Sequence, residues 1–323
     1  MSSLIKEQGN GFLNYLLAQA IPAVDISRDN IREYQYKDIQ KVKIADPKSY
    51  EQWETAMNDE MKSLNDRKIW ELAELPHNRT PIKCRWVYDI KSDGRKKARL
   101  VAKGFSQRPG LDYDETFSPV ARYETIRLLL AISVLEKWDI EALDVKTAFL
   151  YGDLEADIYM QQPEGYVVKG QEQKVYQLKK AIYGLKQASY AWNKQANKSL
   201  EDLGFIRCLS DSGVYVRRED DTIIVCIVYV DDMLFMGDNT PEIHKVKNAF
   251  MKKWECHDLG KVKEYLGMQI NYNKNMGTLI IDQHAYAKKV VTRFGLENCK
   301  PTRTPLPTGY IPTAATKECT AEM

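Results

Sequence analysis

The sequence predicts an α+β protein in which an antiparallel sheet carries helices on one face. Three observations point there. Apolar residues recur at helical spacing in several separate stretches, the clearest being Trp53, Ala56, Met57, Met61 and Leu64. Between them lie short runs rich in β-branched and aromatic residues, such as Thr222 to Val230. Tight polar turns join neighbouring runs, as Asp93-Gly94 and Asp231-Asp232 do, which favours antiparallel hairpins over crossovers.

Taken in order, residues 1–46 carry mixed charge and weak periodicity, and read as a poorly ordered linker or arm. The first firm helix begins at Pro47, with its apolar stripe on one side and acids and lysines on the other. A short strand over 69–75 ends at Pro76. Next comes a hairpin, over 84–91 and 95–105, whose return strand holds Arg95, Lys96, Lys97, Arg99 and Lys103. Those bases suit an edge strand guarded against aggregation or an arm that meets phosphates. Residues 110–120 are loop-like, and Ile126, Leu129, Leu130, Val134 and Trp138 mark the next helix. The strand over 140–145 includes Asp144, and another runs over 174–178. A helix entered at about Ala181–Ala188 carries Trp192, Ala196, Leu200 and Leu203, with Gly204 as its left-handed cap.

Strands over 213–217 and 222–230 lead into the Asp231-Asp232 turn and a further apolar run to Gly237. Thr240-Pro241 predicts a helix start with Thr240 as N-cap. Short strand-like pieces lie at about 265–270 and 277–281. A last helix with Tyr286, Val290 and Phe294 stops at Gly295, and prolines at 301, 305, 307 and 312 predict a disordered tail over 307–323.

The 323 residues, 44% of them apolar, suffice for a sizeable core. The net charge of +2 identifies no partner, so only local charge can. Six scattered cysteines without a C-x-x-C pair speak against a zinc site or a disulfide framework and suit a reducing compartment. No apolar run approaches a membrane span and the N-terminus has no signal-peptide core, so a cytoplasmic, membrane-free location is expected.

Asp231 and Asp232 sit side by side between two apolar runs. On their own they are either a solvated turn or a site for a hard divalent cation, which takes oxygen ligands. Asp144 ends a strand whose neighbours Ala142, Leu143 and Val145 look buried, and an acid in that setting either faces water or needs a partner. Three such carboxylates would suffice for two Mg²⁺ ions about 3.5–4 Å apart.

Longer motifs carry more information. They are Lys97-Ala98-Arg99-Leu100-Val101-Ala102-Lys103-Gly104-Phe105-Ser106-Gln107, Asp112-Tyr113-Asp114-Glu115-Thr116-Phe117-Ser118-Pro119-Val120, Leu143-Asp144-Val145-Lys146-Thr147-Ala148-Phe149-Leu150-Tyr151-Gly152, Tyr183-Gly184-Leu185-Lys186-Gln187-Ala188 and Tyr229-Val230-Asp231-Asp232, with Asp258-Leu259-Gly260 and Tyr265-Leu266-Gly267-Met268 beyond. In this order they resemble the reverse transcriptase of copia-type LTR retrotransposons, part of the Pol polyprotein.

The resemblance implies a right-hand polymerase with fingers (about 80–120) and palm (about 121–300) inside a domain over 47–306. It implies RNA-directed DNA polymerase activity, the two-metal transfer of a dNTP onto a primer 3′-OH. Asp144, Asp231 and Asp232 would be catalytic, with the Val145 carbonyl as a further ligand of two Mg²⁺ ions (Mn²⁺ as an alternative). Lys97, Arg99 or Lys103 would meet the triphosphate, with Phe149 as a steric gate and Tyr183 and Gly184 beneath the nucleotide. Lys186, Gln187, Leu266 and Gly267 would contact nucleic acid. The implied partners are an RNA or DNA template with its primer, dNTPs, and integrase and ribonuclease H regions expected outside this chain. A virus-like particle in the cytoplasm is the implied location. The sequence departs from the family where Ser189-Tyr190 replaces the usual Pro-Arg, which removes a positive charge near the nucleic acid. The rival expectation is a catalytically silent nucleic-acid-binding relic of a truncated element.

Overall fold

The computed structural model describes residues 47–91 and 93–303, with Tyr36, Ile39, Gln40 and Gly309. The remainder of the expected arm, Ser92 of the first hairpin and nearly all of the expected tail lie outside the described residues. Residues up to Gln283 make one compact unit and those from His284 a second.

The helix expected from Pro47 is α1 (Pro47–Asp66). It packs Trp53, Met57, Met61 and Leu64 into a first core with Trp86, Tyr88 and Leu100 of a hairpin, β2 (Cys84–Ile90) and β3 (Lys96–Ala102). The strand β1 (Trp70–Ala73) precedes that hairpin and belongs to a three-stranded sheet ordered β1-β6-β5, with β5 (Asp153–Met160) and β6 (Val175–Lys180). The expected arm needs correction where it is described. Tyr36, Ile39 and Gln40 are helical, and Ile39 is fully buried in this first core.

The principal sheet has six antiparallel strands. Their spatial order is β11 (Cys256–Lys261), β4 (Asp139–Val145), β10 (Asp232–Gly237), β9 (Thr222–Tyr229), β8 (Val214–Glu219) and β7 (Ile206–Arg207). Five consecutive residues of β9, Ile224 to Val228, are buried. Unbroken burial in a strand requires cover on both faces. Ile224, Cys226 and Val228 meet Trp192, Ala196 and Leu200 of α3 (Ala188–Asp202) and Ile243, Val246 and Phe250 of α4 (Thr240–Lys253). Val225 and Ile227 turn to the opposite core, with Ile126 and Leu130 of α2 (Tyr123–Leu135). The small sheet β12 (Glu264–Tyr265), β13 (Met268–Asn273) and β14 (Thr278–Asp282) adds Tyr265 and Ile270 there. The expectation of helices on one face therefore holds for α3 and α4, while α2 covers the other.

Smaller differences have local causes. Helix α2 stops at Leu135, so Trp138 leaves the expected stripe and packs from the turn, where Lys137 takes a positive φ. The N-cap of α4 is Asn239, whose side chain accepts from the Glu242 amide at 3.2 Å, one residue before the expected Thr240. Strands β5 and β11 lack strong apolar alternation and are edge strands, which is why neither is expected from pattern. In the second unit, α5 (His284–Arg293) matches the last expected helix.

Candidate active site

β10 lies between β4 and β9, and the register sets Asp232 opposite Asp144 on one side and opposite Tyr229 on the other. Directly opposed residues of antiparallel strands have Cα atoms ~4.5–5.5 Å apart with side chains on the same face. The two acids therefore share one end of the face that carries Leu234 and Met236. Asp231 belongs to the two-residue turn Val230-Asp231 that joins β9 to β10. Adjacent sheet pairing thus brings together the three acids expected as catalytic.

The turn is strained. Val230 has φ of 59°, a conformation that two-residue hairpins usually assign to Gly or Asn and that is costly for a β-branched residue. Its two carbonyls are held from outside. The Trp192 indole N–H donates to the Val230 oxygen at 2.7 Å, and the Val145 amide donates to the Asp231 oxygen at 2.9 Å. The sequence marks Trp192 only as an apolar helix residue. Its N–H is what fixes the turn to α3, and an indole within an apolar stripe gives no sign of that second contact.

The acids strain one another electrostatically. Burial first, then the charges of Asp231, Asp144 and Glu264, push the Asp232 carboxyl up to about 7. The Asp231 carboxyl is also raised, chiefly by the protein around it and then by Asp144, and is eased by Arg99. Asp231 nevertheless keeps solvent access at the turn. Among the described residues no lysine, arginine or histidine forms an ion pair with these three acids; nearby Lys146 is engaged by Glu255 at 2.9 Å. Clustered oxygen donors without a counter-charge have the chemistry that hard divalent cations neutralise. Among the described residues no group of three His, Cys, Asp or Glu is placed to hold a metal ion. The oxygen chemistry of the three acids suits a hard divalent cation, but the acids are not arranged around one.

Stability should therefore depend on pH. Protonation of Asp232 removes a repulsion, so this group stabilises the fold fully below its unfolded pKa of 3.8, and that contribution is lost as pH rises through about 7. The metal-free protein is expected to lose melting temperature between about pH 4 and about pH 7 and to level off above that, and Asp232→Asn is expected to flatten that slope, as differential scanning fluorimetry would show. Equal slopes would contradict this assignment.

Facing the acids, Arg99 of β3 stacks on Tyr183, with its guanidinium carbon 5.2 Å from the ring centroid. Tyr183 meets Phe149 edge-on at 5.3 Å. Arg99, Tyr183 and Phe149 thus form one wall, and Asp231 lies within electrostatic reach of both Arg99 and Tyr183. This separates the three basic candidates of the hairpin. Lys97 is drawn toward Glu60 of α1 and depressed to about 8 by burial and its cationic neighbours Arg99 and Lys91. Lys103 lines a cavity of about 630 Å³ with Arg85, Trp86 and Phe105. Only Arg99 of the three acts electrostatically on an acid of the site among the described residues.

Gly184 connects the halves by backbone contact. It has φ of 89°, and a Cβ there would lie 2.1 Å from the Ala102 carbonyl oxygen. The Ala102 amide donates to Tyr183 O at 2.8 Å. Two expected nucleic-acid contacts are placed differently. Gln187 is buried, with its amide donating to Asp112 O at 2.8 Å and bonded to Gln107 at 3.0 Å. That side chain cannot reach a nucleic acid, because packing of the 104–113 loop has used its polar atoms. The expectation for Gln187 is corrected accordingly. Lys186 is exposed, but its ammonium donates to Gln107 O and to the Tyr113 hydroxyl at 3.3 and 3.0 Å. Leu266 and Gly267, both with positive φ, make the two-residue turn between β12 and β13; just before them Glu264 acts on Asp232, and Asp232 acts on Tyr265.

Residues 67–308 match the family described as reverse transcriptase (RNA-dependent DNA polymerase). The chain is 42% identical over 257 residues to the retrovirus-related Pol polyprotein from transposon TNT 1-94 of Nicotiana tabacum, covering 78% of this chain and 19% of that one. It is 38% identical over 263 residues to the corresponding polyprotein from transposon RE1 of Arabidopsis thaliana, covering 79% and 18%. A solved foamy viral protease-reverse transcriptase in complex with double-stranded DNA matches with a TM-score of 0.39 at 12% identity, over 76% of this chain and 40% of that one. The chain spans about a fifth of those plant polyproteins. With its ordered motifs and a family match over three quarters of its length, the chain belongs to the reverse transcriptase (RNA-dependent DNA polymerase) family, in its copia-type retrotransposon group.

Proposed function

We propose that this chain is an RNA-directed DNA polymerase that extends a primer by one nucleotide at a time on an RNA template. The observation that carries this reading is the pairing of Asp232 with Asp144 beside the turn that bears Asp231, opposite the Arg99–Tyr183–Phe149 wall. In this reading the six-stranded sheet is the palm, and the β2–β3 hairpin belongs to the fingers.

Asp144, Asp231 and Asp232, with the Val145 carbonyl, would hold divalent cations (two Mg²⁺), whose chemistry is to lower the pKa of an attacking hydroxyl and neutralise charge on a leaving phosphate. The residues of the chain do the rest. Arg99 binds the triphosphate through charge-assisted hydrogen bonds and is held in place by Tyr183. Phe149 closes the sugar side and excludes a 2′-hydroxyl by bulk. The Leu266-Gly267 turn supports the primer end. Lys186 meets the template backbone with whatever capacity its two protein partners leave. The 3′-oxygen attacks the α-phosphorus, the bond to the pyrophosphate oxygen breaks, and the hydroxyl proton leaves to solvent. No helix among the described residues is long and apolar enough to cross a membrane.

The test is extension of a DNA primer on an RNA template with Mg²⁺ by wild type and by Asp144→Asn. Product from wild type alone supports the proposal, and equal product from both overturns it. Salt-dependent template binding with no extension by wild type would identify a silent nucleic-acid binder instead. Arg99→Ala is expected to raise the KM for dNTP about tenfold or more while the KM for primer–template stays within about twofold, as steady-state kinetics would show. Equal shifts in both constants would refute the assignment to the triphosphate.

A further inference from the structure

The Asp258-Leu259-Gly260 motif takes no part in the chemistry above, yet it is built around a buried cation. Lys247 of α4 is 1% exposed. Its ammonium donates to Glu141 of β4 and to Asp258 of β11, both at 2.6 Å. Glu141 is itself buried in the middle of β4, and its other oxygen meets His244 at 2.7 Å. Asp258 also accepts from the Gly260 amide at 2.8 Å, across the one bulge in the β4–β11 ladder.

Such a cluster is a poor means of stabilising a fold. Removing the Glu141 carboxylate and the Lys247 ammonium from water costs about as much as their attraction returns, an apolar replacement of such a pair is often as stable, and the partly exposed Asp258 adds a solvent-screened contact. The better-supported use of buried ion pairs is to select one arrangement among several. Here the alternatives are registers. Asp258 stands opposite Leu143, on the face that α4 covers, and a one-residue slip of β11 would turn its carboxylate to the other face, away from Lys247. Between Cys256 and Val262, which pack on opposite cores, β11 buries no apolar side chain, since His257, Asp258 and Leu259 are exposed. The chain beyond the bulge reaches the site. Val262 and Tyr265 enter the core on the opposite face, Glu264 acts on Asp232, and Asp232 in turn acts on Tyr265.

We propose that Lys247, Glu141 and Asp258 form a register lock that fixes the Leu266-Gly267 turn relative to Asp144 and Asp232, which makes Lys247 and Asp258 positioning residues for the primer end. The role of that turn rests on the polymerase reading, whereas the lock itself does not. Two variants separate charge from packing. Asp258→Asn keeps an acceptor for the Gly260 amide and discards the ion pair. The triple variant Glu141→Gln, Lys247→Met, Asp258→Asn removes every charge at nearly constant volume.

In hydrogen exchange, both variants are expected to exchange amides of 258–267 about tenfold or more faster than wild type, while β9 amides are unchanged. In primer extension, both are expected to raise the KM for primer–template about tenfold with the KM for dNTP within about twofold, a split that general loss of stability would not give. Unchanged exchange in 258–267 overturns the lock. Faster exchange with an unchanged primer–template KM overturns its positioning role. Failure of wild type to extend any primer refutes the polymerase reading and the positioning role, while the exchange data still decide the lock.

Discussion

Asp231→Asn is expected to lower primer extension about 10³-fold or more and, in metal-free buffer at pH 8, to raise the melting temperature. The two effects share one cause. Wild type holds Asp231 beside Asp144 and Asp232 with no ion-paired counter-charge among the described residues, so burial first and then mutual repulsion make Asp231 and Asp232 both titrate high. Asparagine removes one charge and keeps the size, which relieves the repulsion. It also removes an anionic oxygen from the position where a cation would be bound, which the reaction cannot spare. Stability and activity moving in opposite directions mark a site whose strain serves function. Thermal melts with and without Mg²⁺ check this alongside the extension assay. A variant that melts lower than wild type without metal, or that retains extension, would contradict the account.

Gly184→Ala is expected to be the most damaging small substitution outside the acids, at about 3 kcal/mol or more. Two costs add. The residue has φ of 89°, which disfavours any side chain, and the new Cβ would lie 2.1 Å from the Ala102 carbonyl. The obstacle is backbone, so no rotamer change relieves it. Gly170 makes a matched control: its φ is 80°, but nothing lies within 4 Å of a Cβ there. Gly170→Ala should therefore cost only the conformational penalty, about 1 kcal/mol. Chemical denaturation of both variants measures the difference. Similar losses in the two would show that the contact between Gly184 and Ala102 yields. Because the same loop presents Tyr183 beneath Arg99, any folded Gly184→Ala protein should also lose affinity for dNTP.

The parts legible from sequence are those with a local physical signature. The run from Ile224 to Val228 is apolar because both faces of β9 are covered, and it reads as a strand without further help. The stripe of α1 shows the same one-sided burial that its spacing predicts. Gln187 and Lys103 cannot be read in this way. Gln187 occupies a motif position expected to contact nucleic acid, but its neighbour Gln107 is far away in sequence and decides that the amide turns inward. Lys103 falls just past the end of β3, four residues beyond Arg99, where it lines a cavity with Arg85 and Trp86. Strand β11 leaves no trace in the pattern because Cys256-His257-Asp258-Leu259-Gly260-Lys261 has neither alternation nor bulk. Its pairing comes from β4 and its register from a lysine on a helix.

By itself the sequence determined the family and the α+β class and singled out Asp144, Asp231 and Asp232 as candidate acids, because each depends on residue types in a fixed local order. Tertiary structure alone decided which residues meet. It set Asp144 opposite Asp232 across the β4–β10 ladder, selected Arg99 from three bases, and fastened the Val230 turn to Trp192. The physical reason is that these contacts join segments up to some ninety residues apart, and register and burial, properties of the packed sheet, determine which way each side chain faces.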